Sequence, residues 1–396
     1  MKEPLPNPNV YLFAPGPHAG EKSYLDVLSQ AILGHRDPVF VETLKNLGAG
    51  LTELLEIEGY AKPFITTGHA TDQFSNVAQL VRQETDDTGA HRYVGNIVLV
   101  NSDVFSKKAM TELRKAGVKV NAIDVAPGKV VDLEQLATAV ATYKPDVVFV
   151  TSSCTTSGSY QLVQGERLRQ AIGIEPLLVV DEVSLMAGAH IPREELGIDF
   201  GFAGSQKAWM LPPGIVVAYA TPRALERAKG ARVAGIHNLA EIAEKFEEGK
   251  PSATDNTSLI RALERRVYDM IQAGGAAALN DRNVQLNVYY TDFLGRLAEY
   301  GITSFPNREE ASPTVGCFTY QLARTDMKRV AEDMKTDESL VHGYKGVKID
   351  TGYKDVNEYV KSQGLGTVRI PIFGQDPEIF MRILDRMETL IKRYTV

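Results

Sequence analysis

Short apolar runs alternate with amphipathic stretches through the first two thirds of the chain. The apolar runs are rich in Val and Ile, and they predict strands at residues 96–101, 118–124, 147–151, 177–181, 200–204 and 215–220. The stretches between them carry apolar residues at helical spacing and predict helices at 106–116, 133–143 and 165–172. Such alternation is typical of βαβ units. The pattern therefore predicts an α/β fold with a mostly parallel central sheet and helices on both faces.

The pattern changes at about residue 258. Two long helices are predicted there, and they are followed by a strand, a helix, a glycine-containing loop, a second strand and a final helix. These predicted elements lie at 258–276, 279–300, 314–321, 327–335, 343–352, 367–372 and 377–394. A chain of 396 residues exceeds one ordinary hydrophobic core. We therefore predict an N-terminal arm at 1–20, a large domain at 21–265 and a smaller C-terminal α+β domain at 266–396.

Composition narrows the functional classes. Hydrophobic residues make up 44% and charged residues 23%, which are values of a globular protein. The net charge of −7 and the lack of a Lys/Arg block disfavour nucleic-acid binding. Neither Cys154 nor Cys317 stands in a metal-binding spacing, so we expect no metal, reduced thiols and a cytoplasmic protein. No apolar run is long enough to predict a membrane span, and none suggests a signal peptide.

Two residues indicate a specific chemistry. Asp181 ends one predicted strand, and Lys207 follows another in the loop that leads to Gly214. Ligands of open α/β sheets bind beyond the carboxyl ends of the strands, so both side chains are predicted to face one crevice. Pyridoxal phosphate (PLP) needs an amine to form a Schiff base with its aldehyde and a carboxylate to keep its ring nitrogen protonated. Either residue alone is weak evidence, because a loop lysine is usually a solvated surface charge.

Four segments carry a family resemblance that runs over nearly the whole chain. They are 13–17 (FAPGP), 67–71 (TGHAT), 180–184 (VDEVS) and 204–214 (GSQKAWMLPPG). In these motifs and their order the chain resembles the class V aminotransferases, which are fold-type I PLP enzymes. Within that family it is most similar to the branch of alanine–glyoxylate, serine–pyruvate and 2-aminoethylphosphonate aminotransferases. The resemblance implies PLP as cofactor, the PLP-dependent transferase fold of type I, and a homodimer with active sites at the subunit interface.

The resemblance also implies roles for single residues. Lys207 would be the Schiff-base lysine and the catalytic base, and Asp181 would pair with the ring nitrogen. The other implied cofactor contacts are Thr67, Gly68, His69, Ala70, Phe105, Thr156, Val183, Gln206 and Thr254. Among these, Thr254 would reach the phosphate of a neighbouring subunit. Arg369 would hold the substrate carboxylate through two parallel hydrogen bonds, and Pro17 would lie beside the substrate.

Several of these residues also allow a structural interpretation. The segment 67–70 precedes a predicted helix, so its backbone N–H groups suit a phosphate, but they equally suit an ordinary capped helix. Phe105 also fits a core position, and Arg369 fits a structural ion pair because a buried arginine needs a partner. The chain departs from the family at two places. Cys154 replaces a frequent glutamate, and Thr254 is followed by Asp-Asn instead of Pro-Pro.

The resulting prediction is a PLP-dependent aminotransferase. It would move an amino group from a donor of the alanine, serine or 2-aminoethylphosphonate type to a 2-oxo acid such as pyruvate or glyoxylate. The alternative is a PLP-dependent lyase (decarboxylase, aldolase or β-eliminating enzyme), since the same fold hosts these reactions. Arg369 favours the aminotransferase, whereas Cys154 and Glu182 keep the lyase open. A non-catalytic protein that kept the fold is a third possibility, and the presence of both Lys207 and Asp181 argues against it.

Overall fold

A computed structural model of the protein describes residues 9–17, 22–85, 87, 88, 91–231, 233 and 235–396. Its strands are β1 (Tyr11–Phe13), β2 (Lys62–Gly68), β3 (Gln83–Thr85), β4 (His91–Tyr93), β5 (Asn96–Asn101), β6 (Lys119–Asp124), β7 (Val147–Thr151), β8 (Leu177–Asp181), β9 (Ile198–Gly204), β10 (Gly214–Ala220), β11 (Thr303–Ser304), β12 (Val315–Gln321), β13 (Val347–Ile349) and β14 (Leu365–Pro371). Its α-helices are α1 (Lys22–Leu28), α2 (Pro38–Leu54), α3 (Gln73–Gln79), α4 (Val104–Lys115), α5 (Leu133–Tyr143), α6 (Glu166–Ile172), α7 (Pro222–Lys229), α8 (Leu239–Glu247), α9 (Thr257–Gln272), α10 (Gly275–Leu297), α11 (Met327–Lys335), α12 (Lys354–Lys361) and α13 (Pro377–Arg393). Short 3₁₀ helices lie at Ala70–Asp72, Gln161–Gln164, Gly235–His237, Ala298–Tyr300 and Arg308–Glu310.

A seven-stranded sheet forms the centre of the protein, in the order β2-β10-β9-β8-β7-β5-β6. The neighbours from β9 to β6 are all parallel, whereas β10 is antiparallel to both β2 and β9. Every residue of β7, β8 and β9 is buried. Complete burial is expected for parallel strands that helices cover on both faces. The predicted α/β fold with a mostly parallel sheet is therefore confirmed.

The register of three strands determines where the candidate site lies. Thr151 on β7 pairs with Asp181 on β8, and Asp181 pairs with Phe202 on β9. Thr151 and Asp181 are the last residues of their strands, and β9 ends two positions further on, at Gly204. Because these strands are parallel, their carboxyl ends lie at one edge of the sheet. The loop that carries Lys207 leaves the sheet at this same edge.

The helix α4 brings a further segment to this edge. It follows β5 directly and begins after Asp103, whose carboxylate accepts hydrogen bonds from the backbone N–H groups of Phe105 and Ser106, both at 2.9 Å. An aspartate at this position satisfies N–H groups that have no partner within the helix. The cap thus fixes the first turn of α4, which includes Phe105.

The structure differs from the sequence prediction at three places. Residues 38–54 and 62–68, for which no element was predicted, form α2 and β2. The helix predicted at 258–276 ends at Gln272, because Gly274 and Gly275 adopt positive φ and separate α9 from α10. The loop predicted at 343–352 contains β13, which pairs in parallel with β1 from the other end of the chain. Two three-residue strands have no local sequence signal, so only this long-range pairing defines them.

Two hydrophobic cores lie within the described part of the chain. The larger surrounds the seven-stranded sheet and includes Phe149 and Phe202. The smaller includes Phe318, Phe380 and also Phe13 from β1, so the described N-terminal residues pack into it. Residues 1–8 and 18–20 of the predicted arm lie outside the described residues, and the three predicted domain ranges stay predictions. None of the described helices is both long and apolar enough to cross a membrane.

Candidate active site

A cavity of about 350 Å³ opens at the edge of the sheet where β7 and β8 end. Residues from these strand ends, from the loop after β9 and from the segments that begin α3 and α4 form its wall. The described residues that line it are His69, Ala70, Thr71, Phe74, Phe105, Lys108, Thr151, Ser153, Thr155, Asp181, Val183, Ser184, Gln206 and Lys207. The cavity therefore contains both Lys207 and Asp181.

The amine of Lys207 is almost fully buried. The residue is 7% exposed, and its Nζ donates a hydrogen bond to the backbone carbonyl of Pro15. Burial lowers the pKa of Lys207 to about 8, the positive charge of Arg369 lowers it further, and Asp181 and two other aspartates act in the opposite direction. A neutral amine is needed for nucleophilic attack or for accepting a proton. The lowered pKa makes that form available near neutral pH.

The N-terminal segment approaches Lys207 closely at Gly16. A Cβ atom on Gly16 would lie 2.5 Å from Lys207 Cδ, and the φ of Gly16 is +101°. Glycine is the residue that tolerates both the contact and the backbone conformation. Pro17, the predicted substrate contact, follows directly, but it is exposed and does not line the cavity.

Asp181 is the acidic residue among those that line the cavity. It is 5% exposed, and its Oδ1 accepts a hydrogen bond from the backbone N–H of Val183 at 3.0 Å. No described residue donates a hydrogen bond to Oδ2. Burial raises the pKa of Asp181 to about 7, and the negative charges of Asp103 and Glu182 contribute to the rise. A positively charged ligand atom beside Oδ2 would stabilise the ionised carboxylate.

The predicted phosphate contacts lie partly in this cavity. His69, Ala70 and Gln206 line it, whereas Gly68 does not. The backbone N–H of His69 is already donated to Asp72 Oδ2, at 2.6 Å. Ala70 begins a 3₁₀ helix that runs into α3. Since the first N–H groups of a helical turn have no partner within it, Ala70 is better placed than His69 to bind an anion through its backbone.

Thr67 and Thr254 lie elsewhere. Both line a second cavity of about 700 Å³, where Thr67 Oγ1 donates a hydrogen bond to Asp255 Oδ1 at 3.0 Å. Neither of them lines the cavity that contains Lys207. The predicted contact of Thr254 with the phosphate of a neighbouring subunit stays a prediction.

The predicted ring contacts are also divided. Phe105 and Val183 line the cavity, and the ring of Phe105 lies 6.4 Å from the ring of Tyr353. Thr156 is 1% exposed and lines a separate cavity of about 150 Å³, while the preceding residue, Thr155, lines the cavity with Lys207. Two consecutive threonines point in different directions, and sequence spacing alone does not tell which one faces the ligand.

Arg369 lies on β14, opposite Cys317 of β12. Its guanidinium donates to Asp350 through Nε at 3.0 Å and Nη2 at 2.6 Å, and to the carbonyl of Thr155 through Nη1 at 2.9 Å. The guanidinium carbon also lies 5.3 Å from the ring centre of Tyr353. The ion pair that the sequence left open as an alternative is therefore present. The predicted contact of Arg369 with a substrate carboxylate stays a prediction.

Two residues that kept the lyase alternative open do not line the cavity. Glu182 is fully buried and accepts hydrogen bonds from Arg193, at 2.8 Å, and from the hydroxyl of Tyr219. The thiol of Cys154 donates to Ser102 Oγ at 3.1 Å, and burial raises the pKa of this thiol to about 12. We interpret Glu182 as part of a structural ion pair and Cys154 as an unreactive thiol.

Sequence reasoning missed several residues at or beside the cavity. Ser153, Thr155 and Ser184 add hydroxyl groups to its wall, and Asp350 and Tyr353 contact Arg369 behind it. The hydroxyl-rich segment 151–157 (TSSCTTS), directly after a predicted strand, was a usable signal for the first two. Asp350 and Tyr353 had none, because the fold alone brings them to Arg369.

The fold and this site define a class of protein. The architecture is that of the fold-type I PLP-dependent aminotransferases. It matches the crystal structure of alanine–glyoxylate aminotransferase from Nostoc sp. with a TM-score of 0.80 and 22% identity, over 98% of this chain and 97% of that one. The sequence profile of the class V aminotransferases matches residues 54–370, which is most of the chain. The chain belongs to the class V aminotransferase family.

Individual relatives are distant. The alanine–glyoxylate aminotransferase of Drosophila melanogaster is 23% identical over 228 residues, which are 57% of this chain and 55% of that protein. The L-aspartate–glyoxylate aminotransferase of Paracoccus denitrificans is 25% identical over 226 residues, which are 56% of this chain and 54% of that protein. The chain thus spans little more than half the length of these curated relatives. Its substrates have to be argued from its own cavity.

Proposed function

We propose that this protein is a PLP-dependent aminotransferase that moves an amino group from a small amino acid or amine to a 2-oxo acid such as pyruvate or glyoxylate. We propose further that it acts in the cytoplasm as a homodimer with active sites at the subunit interface. The observation that carries the proposal is the presence of Lys207 and Asp181 in one cavity. Membership of the class V family supports the same activity.

The side chains of the cavity suit PLP chemically. Lys207 offers a buried amine with a lowered pKa, and Asp181 offers an oxygen that suits a protonated ring nitrogen. Phe105 offers an aromatic face against which a ring can stack. The turn at Ala70 and the amide of Gln206 offer hydrogen-bond donors for a phosphate. The volume of about 350 Å³ is within the range of small-molecule sites.

Each of these residues has a definite task in the proposed reaction. When bound, PLP supplies an aldehyde and a ring that stabilises negative charge on the carbon next to the amino nitrogen. Lys207 holds the aldehyde end, and once released its neutral amine takes a proton from that carbon. Asp181 holds the proton of the ring nitrogen through Oδ2. Burial of both side chains keeps water away from the site of proton transfer.

The homodimer is supported by the position of Thr254. This residue lies outside the Lys207 cavity of its own chain, so its proposed phosphate contact requires a second chain. The cytoplasmic location is supported by the two cysteines, Cys154 and Cys317, which are both free and buried.

The decisive experiment replaces Lys207 by alanine. The wild-type protein is loaded with PLP and reduced with borohydride, and intact mass spectrometry is expected to show one added cofactor per chain. Lys207→Ala is expected to lack this added mass and to lose at least about 10³-fold in turnover, since both covalent attachment and the proton-transfer base are removed. Lys115→Ala, at a surface lysine paired with Glu112, is the control and should behave as wild type.

Peptide mapping and product analysis complete the test. The added mass is expected on Lys207, and its attachment to Lys108, the other lysine in the cavity wall, would contradict the proposal. The donor is expected to leave as its oxo product, with the amino group retained on the cofactor. Release of carbon dioxide, or cleavage of a carbon–carbon bond, would favour the lyase instead.

A further inference from the structure

The guanidinium of Arg369 is already occupied by protein groups. Asp350 takes the Nε and Nη2 donors at 3.0 and 2.6 Å, and the carbonyl of Thr155 takes a third donor at 2.9 Å. The side chains of Arg369 and Asp350 are only 10% and 19% exposed. Two parallel charge-assisted hydrogen bonds are the arrangement by which arginine binds a carboxylate. Asp350 therefore occupies the place that the carboxylate of a substrate would take.

Asp350 is fixed in this place by its backbone and by a neighbouring turn. The backbone N–H of Arg369 donates to the carbonyl of Asp350 at 3.0 Å, which continues the pairing from β13 towards β14. Its Oδ1 also accepts the backbone N–H of Gly352 at 3.0 Å. Gly352 adopts a φ of +87°, and a Cβ there would lie 2.1 Å from Thr367 Oγ1. The carboxylate thus belongs to a tightly packed segment and not to a free loop.

The ion pair lies directly behind the cavity wall. Thr155, whose carbonyl binds Arg369, lines the cavity, and so does Phe105, whose ring contacts Tyr353 beside the guanidinium. Asp350 and Arg369 are also both close enough to Lys207 to affect its pKa, in opposite directions. A carboxylate bound next to the reacting carbon would therefore meet a guanidinium whose charge is already neutralised. It would also place a second negative charge near Asp350, which like-charge repulsion disfavours.

We propose that Asp350 masks Arg369 and thereby sets the amino donor of this enzyme as a primary amine with no carboxylate on the carbon that bears the amino group. This inference rests on the proposed aminotransferase function and specifies its donor. The 2-oxo acid acceptor must bring a carboxylate to the same site, so it binds against the masked guanidinium with a raised KM. Asp350 is then a specificity-determining residue that acts through Arg369.

The test compares wild type with Asp350→Asn, which keeps the shape of the side chain and removes its charge. Alanine and isopropylamine form a matched pair of donors, because a methyl group replaces the carboxylate. The wild-type enzyme is expected to convert isopropylamine with the higher kcat/KM. In Asp350→Asn the ratio of kcat/KM for alanine over isopropylamine should rise by about tenfold or more, since Arg369 gains a free charged donor pair. The KM for pyruvate should fall in parallel.

A binding measurement keeps the inference separate from the reaction. Propionate is an unreactive carboxylate, and its Kd for the PLP-loaded protein can be measured by calorimetry. It should bind about tenfold more tightly, or better, to Asp350→Asn than to wild type. The gain should vanish in the double variant Asp350→Asn/Arg369→Met, which shows that Arg369 is its source. If neither donor reacts, the proposed function fails, whereas the propionate comparison still reports on Asp350.

Two further variants control for structural damage. Asp337→Asn breaks a similar Asp–Arg pair, with Arg386, away from the cavity and should leave the donor ratio and the Kd of propionate unchanged. Asp350→Ser, a smaller neutral side chain, replaces Asp350→Asn if the latter does not fold. Unchanged propionate binding in a folded, neutral variant at position 350 would overturn the proposal. So would a wild-type enzyme that prefers alanine with a ratio that this variant does not raise.

Discussion

Replacing Asp181 by asparagine should stabilise the cofactor-free protein in alkaline solution while it removes the proposed partner of the ring nitrogen. Burial raises the pKa of Asp181 from 3.8 to about 7, with further contributions from Asp103 and Glu182. Because the folded-state pKa is above the unfolded value, the stability linked to this proton is fully present below pH 3.8 and is lost as the pH rises through about 7. Asparagine has no proton to lose in this range.

The size of the effect follows from the same values. Between pH 5 and pH 8 the wild-type carboxyl must ionise in a buried site, while in the unfolded chain it is ionised throughout. One pH unit of difference corresponds to about 1.4 kcal/mol, so the wild type should lose about 3 kcal/mol relative to Asp181→Asn over this interval. This estimate is an order of magnitude, and it concerns the difference between two pH values. Any constant cost of placing an amide at position 181 cancels.

Urea unfolding of both cofactor-free proteins at pH 5 and pH 8 measures this quantity. Asp337→Asn is a suitable control, because hydrogen bonding to Ser339 lowers the pKa of Asp337 below its usual range and its titration is complete below pH 5. That variant should show the same loss at both pH values. A stability difference between wild type and Asp181→Asn that stays constant within about 1 kcal/mol would refute the reasoning about Asp181. PLP should stabilise the wild type more than Asp181→Asn, since the bound ring nitrogen supplies the missing positive partner.

Two predictions remain. Because burial and Arg369 lower the pKa of Lys207 to about 8, the rate of PLP attachment, trapped by borohydride, should rise with pH to a plateau with a midpoint near 8, and a midpoint near the ordinary lysine value of 10.5 would contradict the burial argument. The PLP-loaded protein should sediment with the mass of two chains, and Thr254→Ala should weaken PLP binding by roughly tenfold through loss of one phosphate hydrogen bond from the partner chain; a fully active monomer would remove Thr254 from the site.

Much of the central sheet could be predicted from local patterns. The strands predicted at 147–151 and 177–181 coincide with β7 and β8, because strands buried on both faces consist almost entirely of apolar residues. Short elements were different. β1 and β13 pair with each other from opposite ends of the chain, and neither has a pattern long enough to recognise. Local periodicity contains no information about such a partner.

The candidate site divides in the same way. The sequence by itself determined that Asp181 and Lys207 belong to one crevice, since one ends a strand, the other follows the end of the next strand in the sheet, and the carboxyl ends of parallel strands share an edge. Only the tertiary structure decided that Thr155 and not Thr156 faces that crevice, and that the guanidinium of Arg369 is bound by Asp350. The physical reason is that strand order follows from runs of apolar residues, whereas the partner of a single buried charge depends on which segments the fold packs against it.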